Sequence, residues 1–351
     1  MIMPMSEKLR WGILGAGQIG RTFAVGVGHS LTGEVTAVAS RALDRAEQFG
    51  TELNIRKRYG DYGQMLADRD VDAVYIATPH PEHVEWAVKA AEAKKHVLCE
   101  KPIGVNAAEA RTIIEAARRN DVFLMEAFMY RCHPQTAKIV ELVKQKAIGD
   151  VRMVQATFGF SHPFEAGHRL WSNALAGGGI LDVGCYPVSF ARLIAGAAAG
   201  RDFLDPVAVH AAGYLHPQTR VDEYAAAVLS FQGGMIAQVA TSVGVEQENV
   251  ARVYGTTGSI FVPEPWTPST KGQASKIVVQ RHGESQPQEI IFPGGQWLYA
   301  LEADVVARDL PHRQATSPAM SWDDTLGNMQ TLDKWRSAIG LRYDSETASQ
   351  R

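Results

Sequence analysis

Over its first 130 residues the chain alternates short apolar runs with longer stretches whose apolar residues recur at helical spacing, and nothing else in it constrains the fold as much. "WGILGAG", "VTAVAS" and "VDAVYIATP" read as buried strands, "HVLCEKP" and "VFLMEAF" as two shorter ones. Between them, "QIGRTFAVGVGHS", "ALDRAEQFGTEL", "PEHVEWAVKAAEAKK" and "NAAEARTIIEAARRN" read as helices. Pro81 sits near a first turn, where its missing N–H costs nothing. Strands separated by helices of this length build a parallel sheet covered on both faces.

Beyond residue 130 the pattern changes. "HPQTAKIVELVKQKAIGDV" is one more helix, ending at Gly149. Strand-like runs then dominate, from "VRMVQATFGF" through "PVAVHAAGYL", "EYAAAVLSFQGG", "MIAQVATSVG" and "ARVYGTTGSIFV" to "SKIVVQRHG". Turn signals such as "QGG" and "TTGS" separate several of them, as in an antiparallel sheet. Two helical stretches, "DVGCYPVSFARLIAG" and "DDTLGNMQTLDKWRSAIG", flank the group. At 351 residues the chain exceeds what one core ordinarily organises. The expected fold is α/β, with a doubly wound parallel sheet in residues 1–130 and a second α/β domain in 131–351, the boundary falling near 128–134.

Charged residues make up 21% of the chain and the formal net charge is −3, so no bias points to nucleic acid or to a membrane surface. Cys99, Cys132 and Cys185 are odd in number and widely spaced, which suits reduced thiols rather than a disulfide framework. "MIMPMSEKLR" lacks the apolar core of a signal peptide, and no segment is expected to reach the ~18 apolar residues of a membrane span. His80 and His83 have no nearby ligand set that completes a metal site. The expectation is a cytoplasmic protein with no metal, nucleic-acid or membrane partner.

The first strand ends in Gly15, Gly17 and Gly20, a G-x-G-x-x-G pattern that also opens a helix. Gly15 permits the tight turn, Gly17 lets the backbone approach a pyrophosphate, and Gly20 lets helix and strand pack closely. Backbone N–H groups at the helix start, with Gln18 and Ile19, would face the phosphates. At the end of the second strand, where an acidic residue would hold the ribose of NAD, this chain has Ser40 and Arg41, with Arg45 one turn on. A hydroxyl and guanidinium groups suit a 2′-phosphate, so NADP is favoured over NAD; Asp44 keeps NAD in play.

"CEKP" places Lys101 at the carboxyl end of a strand, where such sheets bind ligands. Taken alone it also reads as a surface lysine. In "AGGGILDVGCYPVSFARL", Asp182 and Tyr186 are four apart and share one face if the segment is helical. Spacing alone favours the plainer reading, a capping aspartate on a helix that buries its tyrosine.

"GILGAGQIG", "ATPHPEH", "CEKP" and "GGGILDVGCYPVSF" occur in an order and spacing that resemble the Gfo/Idh/MocA family of oxidoreductases. The resemblance runs from about residue 10 to about residue 345 and includes the ending "MSWDDTLGNMQTLDKWRSAIGLRYDSE". It implies a Rossmann domain followed by an α/β domain with a large open sheet, through which the chain forms a homodimer or homotetramer. Lys101 matches the family's catalytic lysine and Asp182 its substrate-orienting acid. Many members have histidine where this chain has Tyr186 and aspartate where it has Ser189, which resembles the branch of dihydrodiol and xylose dehydrogenases. Thr78, Pro79 and His83 match the loop that lies against the cofactor, with Glu100 beside Lys101; His80 stands where asparagine is common. Arg169 and Trp171 in "GHRLWSNALAGGG" are candidates to line the substrate pocket, and Trp171 reads equally as core.

The implied reaction is hydride transfer between nicotinamide C4 and a carbinol or carbonyl carbon of a sugar, polyol or related dihydrodiol. Tyr186 would move the hydroxyl proton, with the Lys101 ammonium expected to lower its pKa; Lys101 as the direct proton carrier is the variant. Two other readings are an enzyme that keeps its cofactor bound for internal redox on a sugar or glycoside, and a non-catalytic nucleotide sensor.

Overall fold

The computed structural model describes residues 8–348. Residues 1–7, which open the stretch read above as carrying no leader, and 349–351 lie outside the described residues. The first half runs β1 (Leu9–Leu14), α1 (Gln18–Val27), β2 (Gly33–Ala39), α2 (Leu43–Glu52), β3 (Lys57–Tyr59), α3 (Tyr62–Leu66), β4 (Ala73–Ile76), α4 (His83–Glu92), β5 (His96–Glu100), α5 (Ala107–Asn120) and β6 (Leu124–Ala127). Its six strands are parallel, in the order β3-β2-β1-β4-β5-β6. Strand addition reverses between β1 and β4, which opens a crevice at their carboxyl ends. Every residue of β4 is buried, the pattern of a strand covered on both faces.

The second half runs α6 (Pro134–Lys144), β7 (Val151–Gly159), α7 (Cys185–Ala198), β8 (Ala208–Leu215), β9 (Asp222–Ser230), β10 (Ile236–Ser242), β11 (Ala251–Gly255), β12 (Gly258–Val262), β13 (Ser275–Arg281), β14 (Gln288–Phe292), α8 (Leu298–Asp309), α9 (Trp322–Ala338) and α10 (Asp344–Ala348). Its eight-stranded sheet has the order β14-β13-β12-β11-β7-β10-β9-β8 and is antiparallel except where β7 meets β10. α7 packs across one face and is buried along nearly its whole length. The stretch Asn173–Ala198 is apolar and long enough to cross a membrane by composition, contrary to the sequence expectation, but its most apolar 18 residues are all buried inside the fold.

Five elements escaped the sequence reading, among them α3 and α10, which have only five residues each. β3 has only three residues, none fully buried, so it carries no apolar run. β14 alternates between half-buried and exposed positions. α8 carries the largest consequence, because it returns to the first domain and packs on α1. The two helices approach so closely that a Cβ on Gly26 would lie 2.5 Å from Tyr299 Cβ. A buried ion network adds to the join: Asp324 of α9 accepts from Arg131 at 2.6 Å and from Arg192 of α7 at 2.5 Å.

Candidate active site

A cleft of about 600 Å³ lies between the carboxyl ends of β1, β2, β4 and β5 and the elements leading into α7. Its first wall is the glycine loop. Gly15 has φ +109°, and a Cβ there would lie 2.7 Å from the Ala77 carbonyl, so only glycine fits. At Gly17 a Cβ would meet nothing within 4 Å of protein, which leaves the backbone open to a ligand. α1 begins without a side-chain cap, so its first N–H groups remain available to phosphate oxygens. Gln18 and Ile19 line the same wall. Gly20 lies behind it, where a Cβ would collide with the Gly15 carbonyl at 2.6 Å, as its expected packing role requires. Its work is packing.

The rim carries Ser40, Arg41 and Arg45. Ser40 is buried, while Arg41 is largely exposed and reaches Glu82 at 3.3 Å. Asp44 does not line the cleft; its carboxylate accepts the backbone N–H of Arg45 at 2.8 Å. Thr78 and Pro79 line the middle, and Thr78 Oγ1 is buried without a partner among the described residues. His83 braces this loop from behind: Nε2 lies 2.9 Å from the Thr78 carbonyl and Nδ1 2.9 Å from the Pro102 carbonyl. Burial pulls its pKa down to about 4. His80, pulled down to about 3 by burial and by His83, keeps Nδ1 3.2 Å from the Ala176 carbonyl. An open glycine backbone, an uncapped helix and an orphaned hydroxyl facing one cleft fit a nicotinamide dinucleotide.

The opposite wall carries the charges. Lys101 Nζ donates to the backbone carbonyl of Asp182 at 2.6 Å and lies 5.3 Å from the centroid of the Tyr186 ring. Arg169 Nη1 donates to Asp182 Oδ1 at 2.8 Å. Burial raises the Asp182 pKa, but Lys101 and Arg169 outweigh it and hold the carboxyl at about 2. Glu100 is buried, accepting from the Tyr75 hydroxyl and from the Lys101 backbone N–H. Burial pushes its pKa up, opposed by the Lys101 charge. Asp182 lies on a π-helical turn, Ile180–Gly184, and Tyr186 on the first turn of α7; both line the cleft.

One expectation is corrected here, and one open alternative is decided. Tyr186 is only 3% exposed, and burial drives its phenol well above the usual range, with the Glu100 charge acting in the same direction. The expected lowering by Lys101 is absent because the ammonium sits over the ring face, while the hydroxyl meets Met129 Sδ at 3.4 Å. Trp171 is core: it is buried outside the cleft and donates Nε1–H to the Pro163 carbonyl at 3.0 Å. Conversely, the sequence reading missed Phe158, Leu175 and Tyr299, which line the cleft from β7, the turn before the glycine triplet, and α8. Among these only Leu175, close to "GGG", carried a local signal.

Phosphate-binding backbone on one wall and side chains able to move a proton on the other are the two halves of a nicotinamide-dependent oxidoreductase. Comparison with known proteins agrees. An oxidoreductase family model with an NAD-binding Rossmann fold matches residues 9–128, and the Gfo/Idh/MocA C-terminal domain matches residues 136–261. Trans-1,2-dihydrobenzene-1,2-diol dehydrogenase of Mus musculus is 35% identical over 345 residues, covering 96% of this chain and 99% of that protein. Among solved structures, the 3-ketoreductase KijD10 from Actinomadura kijaniata, in complex with NADP and TDP-benzene, superposes with TM-score 0.82 at 26% identity, covering 95% of this chain and 98% of that one. Aldose-aldose oxidoreductase from Caulobacter crescentus does so with TM-score 0.83 at 25% identity and the same coverage. The chain belongs to the Gfo/Idh/MocA family of oxidoreductases. It is an NAD(P)-dependent oxidoreductase acting on CH–OH groups.

Proposed function

We propose that the protein transfers hydride between NADP and a ring carbinol of a sugar, polyol or dihydrodiol. The observation that carries this reading is the convergence of Lys101, Asp182 and Tyr186 on the cleft that the glycine loop opens into. The bound nicotinamide supplies or accepts the hydride. The Lys101 ammonium stabilises negative charge on the substrate oxygen. Asp182, kept ionised, accepts from a neighbouring hydroxyl and fixes which carbon reacts. Tyr186 exchanges the proton, and its strongly protonated state suits donation in the reductive direction. Phe158 and Tyr299 offer apolar surface to the carbon face of a ring.

Ser40, Arg41 and Arg45 support the preference for NADP. The solved relative that holds NADP is consistent with it. Assaying aldoses, cyclitols, ketosugars and trans-dihydrodiols for NADPH formation or consumption tests the reading; no turnover with any of these classes overturns it. Arg41→Ala should shift preference toward NAD, and an unchanged ratio refutes the 2′-phosphate assignment. We further propose that the open face of the eight-stranded sheet joins subunits, because Tyr224 and Val228 of β9 and Ile236 of β10 are exposed there. The thiols of Cys99, Cys132 and Cys185 are all free, which supports a cytoplasmic location.

A further inference from the structure

The segment that carries Asp182 is held in place from outside the cleft. Gly177, Gly178 and Gly179 lead directly into the π-helical turn, and each accepts or faces a polar group from a different element. Tyr343, just before α10, donates its hydroxyl to the Gly177 carbonyl at 2.8 Å. Thr241 of β10 donates Oγ1–H to the Gly179 carbonyl at 3.0 Å. Asp222, the first residue of β9, accepts the Ile180 N–H at 2.7 Å and also faces the Gly179 N–H. All three side chains are buried. There is no slack in the fit: Gly178 has φ +101°, and a Cβ there would collide with Asp222 Oδ1. A Cβ on Gly179 would lie 3.2 Å from Thr241.

One turn further along, the same segment offers the Asp182 carbonyl to Lys101 Nζ at 2.6 Å. It also places the Asp182 carboxylate against Arg169. The Lys101 ammonium is therefore located by a main-chain carbonyl whose own position depends on the glycine triplet. We propose that Asp222, Thr241 and Tyr343 are positioning residues that act through the Gly177–Gly184 segment to set where Lys101 presents its charge. The proposal rests on the reading that Lys101 acts on the substrate oxygen. Its physical basis is that electrostatic stabilisation requires a charge fixed in advance, and a misplacement of about 1 Å can cost ~10²-fold in rate.

Asp222 adds a pH signature. It is completely buried, and burial pushes its carboxyl up to about 7. The charged and titratable groups facing it are Arg336 of α9, which opposes that rise, and Tyr343 of the C-terminal segment. As pH falls through 7 the carboxylate takes a proton and its hold on the two N–H groups weakens, so turnover should fall on the acid side.

The test uses the full-length protein with trans-1,2-dihydrobenzene-1,2-diol and NADP as probes. Thr241→Val and Tyr343→Phe keep shape but remove the donor. Each should lower kcat by about 10-fold or more while KM for NADP stays within about twofold. Thr241→Ser, which retains the hydroxyl, should restore kcat. Asp222→Asn should abolish the acid-side fall. Crystal structures of Thr241→Val and Tyr343→Phe give a readout independent of substrate: Lys101 Nζ should move beyond ~3.5 Å from the Asp182 carbonyl. Unchanged kcat together with an unmoved Lys101 overturns the proposal, even if thermal stability falls. A Lys101→Ala variant separates the two ideas. Undiminished turnover in that variant defeats the catalytic reading itself, whereas its loss beside intact clamp variants defeats only the clamp.

Discussion

In the proposed mechanism Tyr186 carries the proton and Lys101 the charge. The phenol is buried and driven well above its usual pKa, so in the oxidative direction it must lose a proton it holds tightly. Oxidation should therefore accelerate as pH rises through neutrality toward 10, and reduction should not; steady-state rates measured across that range decide it. Tyr186→Phe should lower kcat by ~10²–10⁴-fold, flatten the oxidative profile and leave NADP affinity largely intact. Near-normal turnover in both Tyr186→Phe and Lys101→Ala would falsify the assignment. The glycine loop gives a second contrast. Gly17→Ala should weaken NADP binding with little change in Tm, because its Cβ meets only open space. Gly20→Ala should instead destabilise the fold by ~1–3 kcal/mol, because its Cβ meets the Gly15 carbonyl at 2.6 Å. Equal effects of the two on thermal melting and on cofactor titration would refute this division of labour.

At the scale of elements, α8 is the least expected piece. It crosses back from the second domain to pack on α1, and it brings Tyr299 to the cleft. It also buries Glu302 completely, with neither carboxyl oxygen partnered among the described residues. Burial raises the Glu302 pKa well above its usual value, and the Glu100 charge adds to that. The sign of the consequence follows. The unfolded carboxyl ionises near 4.5 while the folded one keeps its proton, so stability declines as pH rises above that value. Glu302→Met should raise stability at pH 8 by ~1–3 kcal/mol and reduce that decline. Denaturant melts at several pH values test this; parallel curves for the two proteins would count against it. The sequence concealed α8 because its apolar residues and a buried acid lie nearly all round the helix, which blurs any amphipathic period.

For the whole molecule, the eight-stranded sheet buries one face under α7 and leaves the other open. Registers place Tyr224, Ala226 and Val228 of β9 on that open face, level with Ser242, Ala240 and Gln238 of β10. Val228→Lys combined with Ile236→Lys should shift the protein toward monomers in sedimentation velocity, while the monomer keeps its fold. An unaltered sedimentation coefficient would place the subunit contact elsewhere, or show that there is none. The same sheet reaches the active site indirectly, since β9 and β10 supply Asp222 and Thr241 to the glycine triplet.

The parallel sheet and the phosphate loop could be read along the chain, whereas Lys101, Asp182 and Tyr186 stood out only through the family's motifs. The sheet and the loop are written locally: periodicity follows from which face is buried, and glycine spacing from what a tight turn permits. What only the folded chain decided was the environment of each group. Arg169 neutralises Asp182, the Tyr186 hydroxyl faces sulfur rather than an ammonium, Trp171 turns inward, and Phe158 and Tyr299 enter the cleft from distant elements. Burial and through-space charge set these properties. Both depend on neighbours far away in the chain, and so no run of consecutive residues encodes them.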